Sequence, residues 1–123
     1  MLVIPVVAVA RGVAQASTVT VTSADNGRKL TLVRGDIVVV ALASTPGAGF
    51  GWKVAHIDRN VMRQVGKPTL VQPPRPMPGA PATQIFRFNA VRRGSTRLDL
   101  VYVRPWEAGL PPARAFWVLV RVR

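Results

Sequence analysis

A chain of 123 residues, of which 49% are hydrophobic, has the length and the apolar content of one folded domain and is too apolar for a disordered protein. The absence of cysteine excludes disulfide bonds, thiolate metal sites and a cysteine nucleophile. The net charge of +12, from 14 arginines and three lysines against five acidic residues, favours contact with anionic surfaces and acidic partners.

The chain begins with an apolar run, residues 2–10, that is too short to span a bilayer. Residues 14–16 have the small-x-small form of a signal-peptidase site, although the basic residues that usually precede the apolar run are missing. The alternative is an additional edge strand, which Pro5 and Gly12 both disfavour. We therefore interpret residues 1–16 as a signal-like or disordered segment, and we expect an exported protein, periplasmic or extracellular, without a transmembrane segment.

Residues 17–123 are predicted to form one domain of short strands separated by turns. The predicted strands are residues 18–22, 30–33, 37–43, 50–57, 85–91, 96–103 and 115–122, with a short edge strand within residues 65–71. Turn signals at residues 25–27, 34–36 and 92–95 separate several of these segments. No long segment without proline or glycine has a 3.6-residue apolar period, so helices should be nearly absent. Strands at this spacing predict an all-β fold, an immunoglobulin-like antiparallel β-sandwich of about seven strands.

Alternation along the predicted strands separates a core face from a solvent face. The inward-facing residues of the last strand are predicted to be Phe116, Val118, Val120 and Val122. Leu98, Leu100 and Tyr102 should likewise point inward, against Phe86 and Phe88.

The three segments richest in glycine and proline are residues 44–49, 73–83 and 104–114. In such a sandwich alternate connections lie at the same end, so these loops are predicted to lie together. Stiff apolar loops at one end form a preorganised contact surface, because little conformational entropy is lost when they dock. Two interpretations of Trp106 remain open: an anchor for a partner protein, or a lid folded over the end of its own sandwich.

The sequence offers little material for catalysis, metal binding or specific nucleic-acid recognition. His56 lies in an apolar segment without clustered carboxylates, and we interpret it as a strand residue at a sheet face or edge. We predict no catalytic residue, no metal ligand, no cofactor and no enzymatic activity, since no nucleophile–base pair is evident. The basic residues are not interleaved with aromatic residues, so we expect no specific nucleic-acid partner.

The three loops resemble those of the chagasin family of papain-like cysteine protease inhibitors. Residues 45–52, Thr-Pro-Gly-Ala-Gly-Phe-Gly-Trp, are similar to the family's first loop, Asn-Pro-Thr-Thr-Gly-Tyr/Phe-x-Trp. Residues 104–106 keep the family's Arg-Pro-Trp motif unchanged and are followed by Glu107. The middle loop leads into Phe86-Arg87-Phe88, as in the family, but has Pro81 and Ala82 where a glycine pair is common.

The resemblance implies a reversible inhibitor whose three loops form a wedge that occludes the active-site cleft of a papain-like cysteine protease. The residues that it assigns to the protease interface are Thr45, Pro46, Gly47, Ala48, Gly49, Phe50, Pro78, Gly79, Ala80, Arg104, Pro105, Trp106 and Glu107. It implies a papain-like cysteine protease as the partner, and we expect a monomer. Because Gly47 and Ala48 replace two threonines of the family, we expect weaker inhibition than in typical members. The alternative is a non-inhibitory exported binding or structural module that contacts anionic surfaces through its positive charge.

Overall fold

A computed structural model describes residues 16–75 and 77–123. The predicted signal-like segment, except for Ala16, lies outside the described residues, and so does Pro76 of the second predicted loop. The strands are β1 (Thr18–Val21), β2 (Lys29–Leu32), β3 (Ile37–Ser44), β4 (Gly51–His56), β5 (Met62–Gln64), β6 (Thr69–Val71), β7 (Ala82–Ala90), β8 (Gly94–Val103) and β9 (Arg114–Val122). The helical elements in this part of the chain are two single 3-10 turns, at Ser23–Asp25 and Pro46–Ala48. No helix among residues 16–75 and 77–123 is long and apolar enough to cross a membrane.

The strands form two sheets, which confirms the predicted all-β sandwich. One sheet has the order β1-β3-β7-β5, with β6 also paired to β7, and the other has the order β2-β9-β8-β4. The short edge strand predicted within residues 65–71 is confirmed as β6 (Thr69–Val71), whereas β5 (Met62–Gln64) was not predicted. Both strands pair with β7, at opposite ends of it. Gly66, with φ +69°, and Pro68, which has no N–H, interrupt the pairing between them.

The sandwich is antiparallel, as predicted, except at two strand pairs, where the two strands from the start of the domain pair in parallel. Strand β1 runs parallel to β3, and β2 runs parallel to β9. The chain crosses from one sheet to the other between β1 and β2, through the 3-10 turn and Gly27 at φ +84°. Since β1 and β2 belong to different sheets, they cannot form a hairpin, and each pairs with a strand distant in sequence.

The core lies between the sheets and contains the residues that alternation predicted. Phe116, Val118, Val120 and Val122 of β9 are all buried, as are Leu98, Leu100 and Tyr102 of β8. Phe86 and Phe88 of β7 face them from the other sheet, and their rings are 6.3 Å apart. Burying each large apolar side chain contributes about 1.5–3 kcal/mol. Much of the folding free energy therefore depends on keeping these residues on the inner face of each sheet.

Strand register defines the two ends of the sandwich. Ser44 pairs with Ala82, Gly51 with Val103, and Tyr102 with Arg114. The connections β3–β4, β6–β7 and β8–β9 consequently leave the sheets at one end, which we call the loop end. At the other end, Ile37 pairs with Asn89 and Gly94 pairs with Val122. The three predicted loops do lie together, although β7 begins at Ala82, inside the segment predicted as the second loop.

The corner at residues 34–36 lies at the end opposite the loops and serves the fold. Asp36 is buried, and its carboxylate accepts hydrogen bonds from the backbone N–H of Ser17 (2.8 Å) and of Val33 (2.9 Å). Gly35 has a φ of +98°, a backbone conformation that residues other than glycine rarely adopt. The Arg-Gly-Asp sequence therefore has a structural role, which is to form this turn.

Candidate functional site

The first loop is a short, internally bonded turn. Pro46 opens the 3-10 turn, where its fixed φ suits the first helical position and its missing N–H leaves no donor unpaired. The N–H of Ala48 donates to the carbonyl of Thr45 (3.0 Å), and the N–H of Gly49 donates to the carbonyl of Pro46 (2.9 Å). Gly49 then reverses the chain at φ +84°. The tip of the first loop therefore has a defined shape before any partner binds.

Three aromatic rings support the base of this loop. Tyr102 stacks on Phe50 with ring centroids 5.0 Å apart, and Trp52 lies against its ring at the same distance. The indole N–H of Trp52 donates to the carbonyl of Ala43 (2.9 Å), so this buried donor is satisfied. Phe50 and Trp52 thus anchor the base of the loop on the sandwich. Their common support, Tyr102, was not predicted for this role.

Gln84 joins the two sheets directly beneath the loop. Its side-chain carbonyl accepts from the backbone N–H of Trp52 (2.9 Å), and its amide donates to the carbonyl of Trp52 (3.0 Å). Gln84 belongs to β7 and Trp52 to β4, so these bonds connect strands of different sheets. Sequence reasoning missed this residue. One feature of the sequence could have identified it: Gln84 is polar, yet alternation places it on the same inward face of the strand as Phe86 and Phe88.

The hydroxyl of Tyr102 fixes the start of the first loop. It accepts a hydrogen bond from the backbone N–H of Thr45 (2.8 Å) and lies 2.9 Å from the hydroxyl of that residue. Burial raises the pKa of Tyr102, but hydrogen bonds with Thr45 and Ser44, together with the charge of Arg114, outweigh that effect and leave the pKa below its usual value. The guanidinium of Arg114 lies 4.6 Å from the ring centroid. Tyr102 is therefore held by contacts on its edge and on its face.

We expect Tyr102→Phe to lower the free energy of unfolding by about 1–2 kcal/mol, because the ring contacts remain while the N–H of Thr45 loses its acceptor. Urea unfolding of both proteins measures the difference. Thr45→Ser, which keeps both hydrogen bonds, is the matched control and should change stability by less. Equal stability of Tyr102→Phe and the parent would show that the hydroxyl does not hold the loop.

Arg104 connects the third loop to the first. Its Nε–H donates to the carbonyl of Ala48 (3.0 Å), and its guanidinium lies 4.2 Å from the ring centroid of Phe50. The same group lies 5.9 Å from the centroid of Trp106, and its Nη1 is 3.6 Å from Oε2 of Glu107. Since the ion pair is partly exposed, it contributes little to stability. The bond to Ala48 and the stacking on Phe50 are what fix the two loops together.

Trp106 lies against the first loop and remains exposed over 69% of its surface. A Cβ added to Gly49 would come 2.2 Å from Cη2 of Trp106, so the indole is packed directly on the glycine backbone. Trp106 is not a lid buried over the end of the sandwich. Of the two interpretations left open by the sequence, the lid is therefore wrong, and the anchor for a partner stays a prediction.

The second loop borders the first across a groove. Residues 45–48 of the first loop line one side, and Gln72, Gly79, Ala80 and Ala82 line the other. The N–H of Ala80 donates to the carbonyl of Met77 (3.0 Å), and Gly79 has φ +80°, so this segment also forms a tight turn. Contact between the first and third loops is direct, whereas the second loop stands beside them.

The predicted interface residues all lie in these three loops, but they differ in exposure. The exposed ones are Pro46, Gly47, Ala48, Pro78, Gly79, Pro105 and Trp106. The half-buried ones are Thr45, Gly49, Phe50, Ala80, Arg104 and Glu107. The first group forms an apolar surface open to a partner, and the second group shapes it. Binding of a protease by these residues stays a prediction.

Metal chemistry has no structural basis in the described part of the chain. No group of three or more His, Cys, Asp or Glu side chains among residues 16–75 and 77–123 is placed to hold a metal ion. His56 lies exposed at the end of β4, an edge strand, as its sequence context predicted.

Comparisons with known proteins give a consistent result. The family model described as chagasin family peptidase inhibitor I42 matches residues 31–120. Chagasin of Trypanosoma cruzi is 28% identical over 104 residues, which cover 82% of this chain and 94% of that protein. Amoebiasin-2 of Entamoeba histolytica is 27% identical over 90 residues, 72% of each chain. The fold is similar to the crystal structure of the cysteine protease inhibitor EhICP2 from Entamoeba histolytica, with a TM-score of 0.80 and 22% identity, over 90% of this chain and 100% of that one.

Proposed function

The chain belongs to the chagasin family of peptidase inhibitors, and we propose that it is a reversible, competitive inhibitor of papain-like cysteine proteases. The loop end is the contact surface in this proposal. The first loop enters the active-site cleft, and the second and third loops grip the walls of the cleft.

One observation carries this proposal: the first and third loops form a single edge. The hydrogen bond from Arg104 to the carbonyl of Ala48 and the packing of Trp106 on Gly49 join segments that lie more than 50 residues apart in sequence. Because the edge is already assembled, docking loses little conformational entropy. A preformed apolar edge of this kind is suited to a groove in a partner protein.

The shape of the first loop also explains how it could block a protease without being cleaved. A substrate must lie extended across the catalytic cysteine, whereas residues 46–48 form a 3-10 turn. Pro46 has no N–H to donate to the enzyme, and the carbonyl of Ala48 already accepts from Arg104. The backbone at the tip is consequently neither extended nor free to become so.

Trp106 provides the largest apolar contact at this edge. Exposed tryptophans are enriched among the residues that dominate protein interfaces, because one rigid ring covers a large area at a small entropic cost. The guanidinium of Arg104 lies beside it, 5.9 Å from the ring centroid. We place Trp106 against an apolar or aromatic patch on the cleft wall.

The titration of the purified protein against papain or a cathepsin-type protease tests this function. We expect inhibition that rises with inhibitor concentration and is relieved by excess peptide substrate. Absence of inhibition at high micromolar concentration would reject the proposal for this class of enzyme.

The replacement of both family threonines predicts that inhibition can be improved. The double variant Gly47→Thr/Ala48→Thr should inhibit papain about tenfold more tightly, because it restores two hydroxyls that can bond near the active site. A Cβ at Gly47 would meet nothing within 4 Å, so the structure accommodates the larger side chain. Inhibition constants measured side by side decide the matter. Equal constants would mean that the backbone shape of residues 46–49 carries the contact.

Three finer statements belong to the proposal. We assign the sandwich to the immunoglobulin-like class, since the strand orders β1-β3-β7-β5 and β2-β9-β8-β4 correspond to those of the two sheets of that fold. We propose a monomer, because one copy carries all three loops. We also propose export, which the signal-like composition of residues 1–16 supports.

A further inference from the structure

Exposed arginines gather at the end of the sandwich opposite the loop end. They lie in the β2–β3 corner, the β4–β5 connection, the β7–β8 turn and the last residues of the domain. We call this group the basic pole, and it consists of Arg34, Arg59, Arg92, Arg93, Arg121 and Arg123. Register places them together, because Gly94 and Ser95 pair with Val122 and Arg121 and the N–H of Arg123 donates to the carbonyl of Leu32.

Carboxylates do not neutralise the basic pole. The salt bridges among residues 16–75 and 77–123 join Arg28, Arg97 and Arg104 to acidic residues, and none of them involves the pole. The two aspartates at this end are engaged with backbone groups. Asp36 is buried and accepts from two backbone N–H groups, and Asp58 accepts from the N–H of Asn60 (2.9 Å). The six guanidinium groups of the pole form no salt bridge among the described residues, and they outnumber the two carboxylates at this end.

The surface between these arginines has room for an anionic group. A shallow notch is lined by Arg93, Arg121 and Arg123 together with Gly94 and Ser95. Guanidinium groups bind phosphate and carboxylate oxygens in a bidentate manner, and the serine hydroxyl can donate one more hydrogen bond.

We propose that the basic pole docks the protein on an anionic lipid bilayer. Clusters of four or more arginines or lysines at a surface are attracted to the negative potential of acidic lipids. The pole is made of turns at the tip of the sandwich, which suits a flat surface of headgroups better than it suits an extended strand. Single-stranded nucleic acid would favour exposed aromatic rings, and among the described residues the exposed ring, that of Trp106, lies at the loop end.

The position of the pole has a consequence for inhibition. Since the three loops lie at the opposite end, a molecule docked through the pole presents Trp106 and the first loop away from the bilayer. Membrane docking and protease binding therefore do not compete. The positive charge of the pole would therefore hold the inhibitor at a membrane while the loop end stays free to bind a protease.

Cosedimentation with vesicles tests this inference on the whole chain. One set of vesicles contains phosphatidylcholine with about 30% phosphatidylserine, and the other contains phosphatidylcholine alone. Binding to each set is measured at low and at high salt. We expect binding to the anionic vesicles that is lost at high salt. Arg92→Gln/Arg93→Gln/Arg121→Gln/Arg123→Gln should bind about 600-fold more weakly, since each arginine near the surface contributes about fivefold.

The matched control removes the same number of charges elsewhere. Lys29→Gln/Lys53→Gln/Lys67→Gln/Arg87→Gln alters exposed residues outside the pole and should lose less than about tenfold. Unchanged inhibition of papain and unchanged thermal unfolding would show that the pole variant is folded. Should it unfold, Arg92→Gln/Arg93→Gln, confined to one turn, takes its place with an expected loss of about 20-fold.

Three results would overturn the inference. Equal losses in the pole and control variants would mean that net charge alone drives binding. Equal binding of the parent to both kinds of vesicle, or to neither, would exclude an anionic bilayer as the ligand. Tighter binding to single-stranded or duplex DNA than to the anionic vesicles at the same salt, lost in the pole variant, would assign the surface to nucleic acid.

Discussion

Replacing Trp106 with alanine is expected to weaken inhibition of papain by about 30- to 1000-fold, which corresponds to roughly 2–4 kcal/mol of binding free energy. The indole is the largest exposed side chain at the loop end, and it rests on the backbone of Gly49 instead of in the core. Its loss should therefore change the free energy of unfolding by no more than about 0.5 kcal/mol. Inhibition constants and urea unfolding, measured on the same preparation, separate the two effects.

The chain offers a matched control in Trp117. This residue is half-buried on the outer face of β9, where the guanidinium of Arg97 lies 4.4 Å from its ring centroid. Trp117→Ala removes a ring of the same kind from outside the loop end and should leave inhibition unchanged. If Trp106→Ala and Trp117→Ala weakened inhibition equally, or if neither did, the assignment of Trp106 as the anchor would be wrong.

The second large effect is expected from Gly49→Ala. The new Cβ would come 2.2 Å from Cη2 of Trp106, so the indole must leave its position on the first loop. The variant also pays for a side chain at φ +84°, about 1–2 kcal/mol of stability. We expect at least about tenfold weaker inhibition, because the edge formed by the first and third loops comes apart.

Two further variants distinguish displacement of the ring from backbone strain. Gly109→Ala introduces a similar strain in the third loop, at φ +89°, but its Cβ would meet nothing within 4 Å. It should lower stability and leave inhibition nearly unchanged. In the Trp106→Ala background, Gly49→Ala should no longer weaken inhibition, because the two residues act through one contact. Additive losses in the double variant would contradict the proposed packing.

Much of the fold was predictable because burial dictates alternation. Phe116, Val118 and Val120 share one face of a strand, and a slip of one residue in register would turn all of them toward solvent. The loop end followed from the same reasoning, since glycine and proline mark where strands stop. The exposure of Trp106 could be anticipated only as one of two interpretations, because Pro105 locates the loop without fixing the direction of the ring.

The remainder depends on contacts between segments distant in sequence. No local pattern shows that β1 and β2 join different sheets. Their placement depends on which edge strands of the two sheets, β3 or β9, are available for pairing. The bond from Arg104 to Ala48 requires the backbones of two loops to be placed first. Gln84 illustrates the same limit, because parity puts it inside but only the structure supplies its partner, the backbone of Trp52.

Calorimetric titration of papain in two states tests the central claim most directly. The protein should bind papain with an open active site in a one-to-one complex. It should not bind papain whose cleft is filled by a covalent peptidyl inhibitor, because the loop end and the peptide require the same groove. Equal affinity for both forms of papain would place the contact outside the cleft and would contradict the account of the three loops as an occluding wedge.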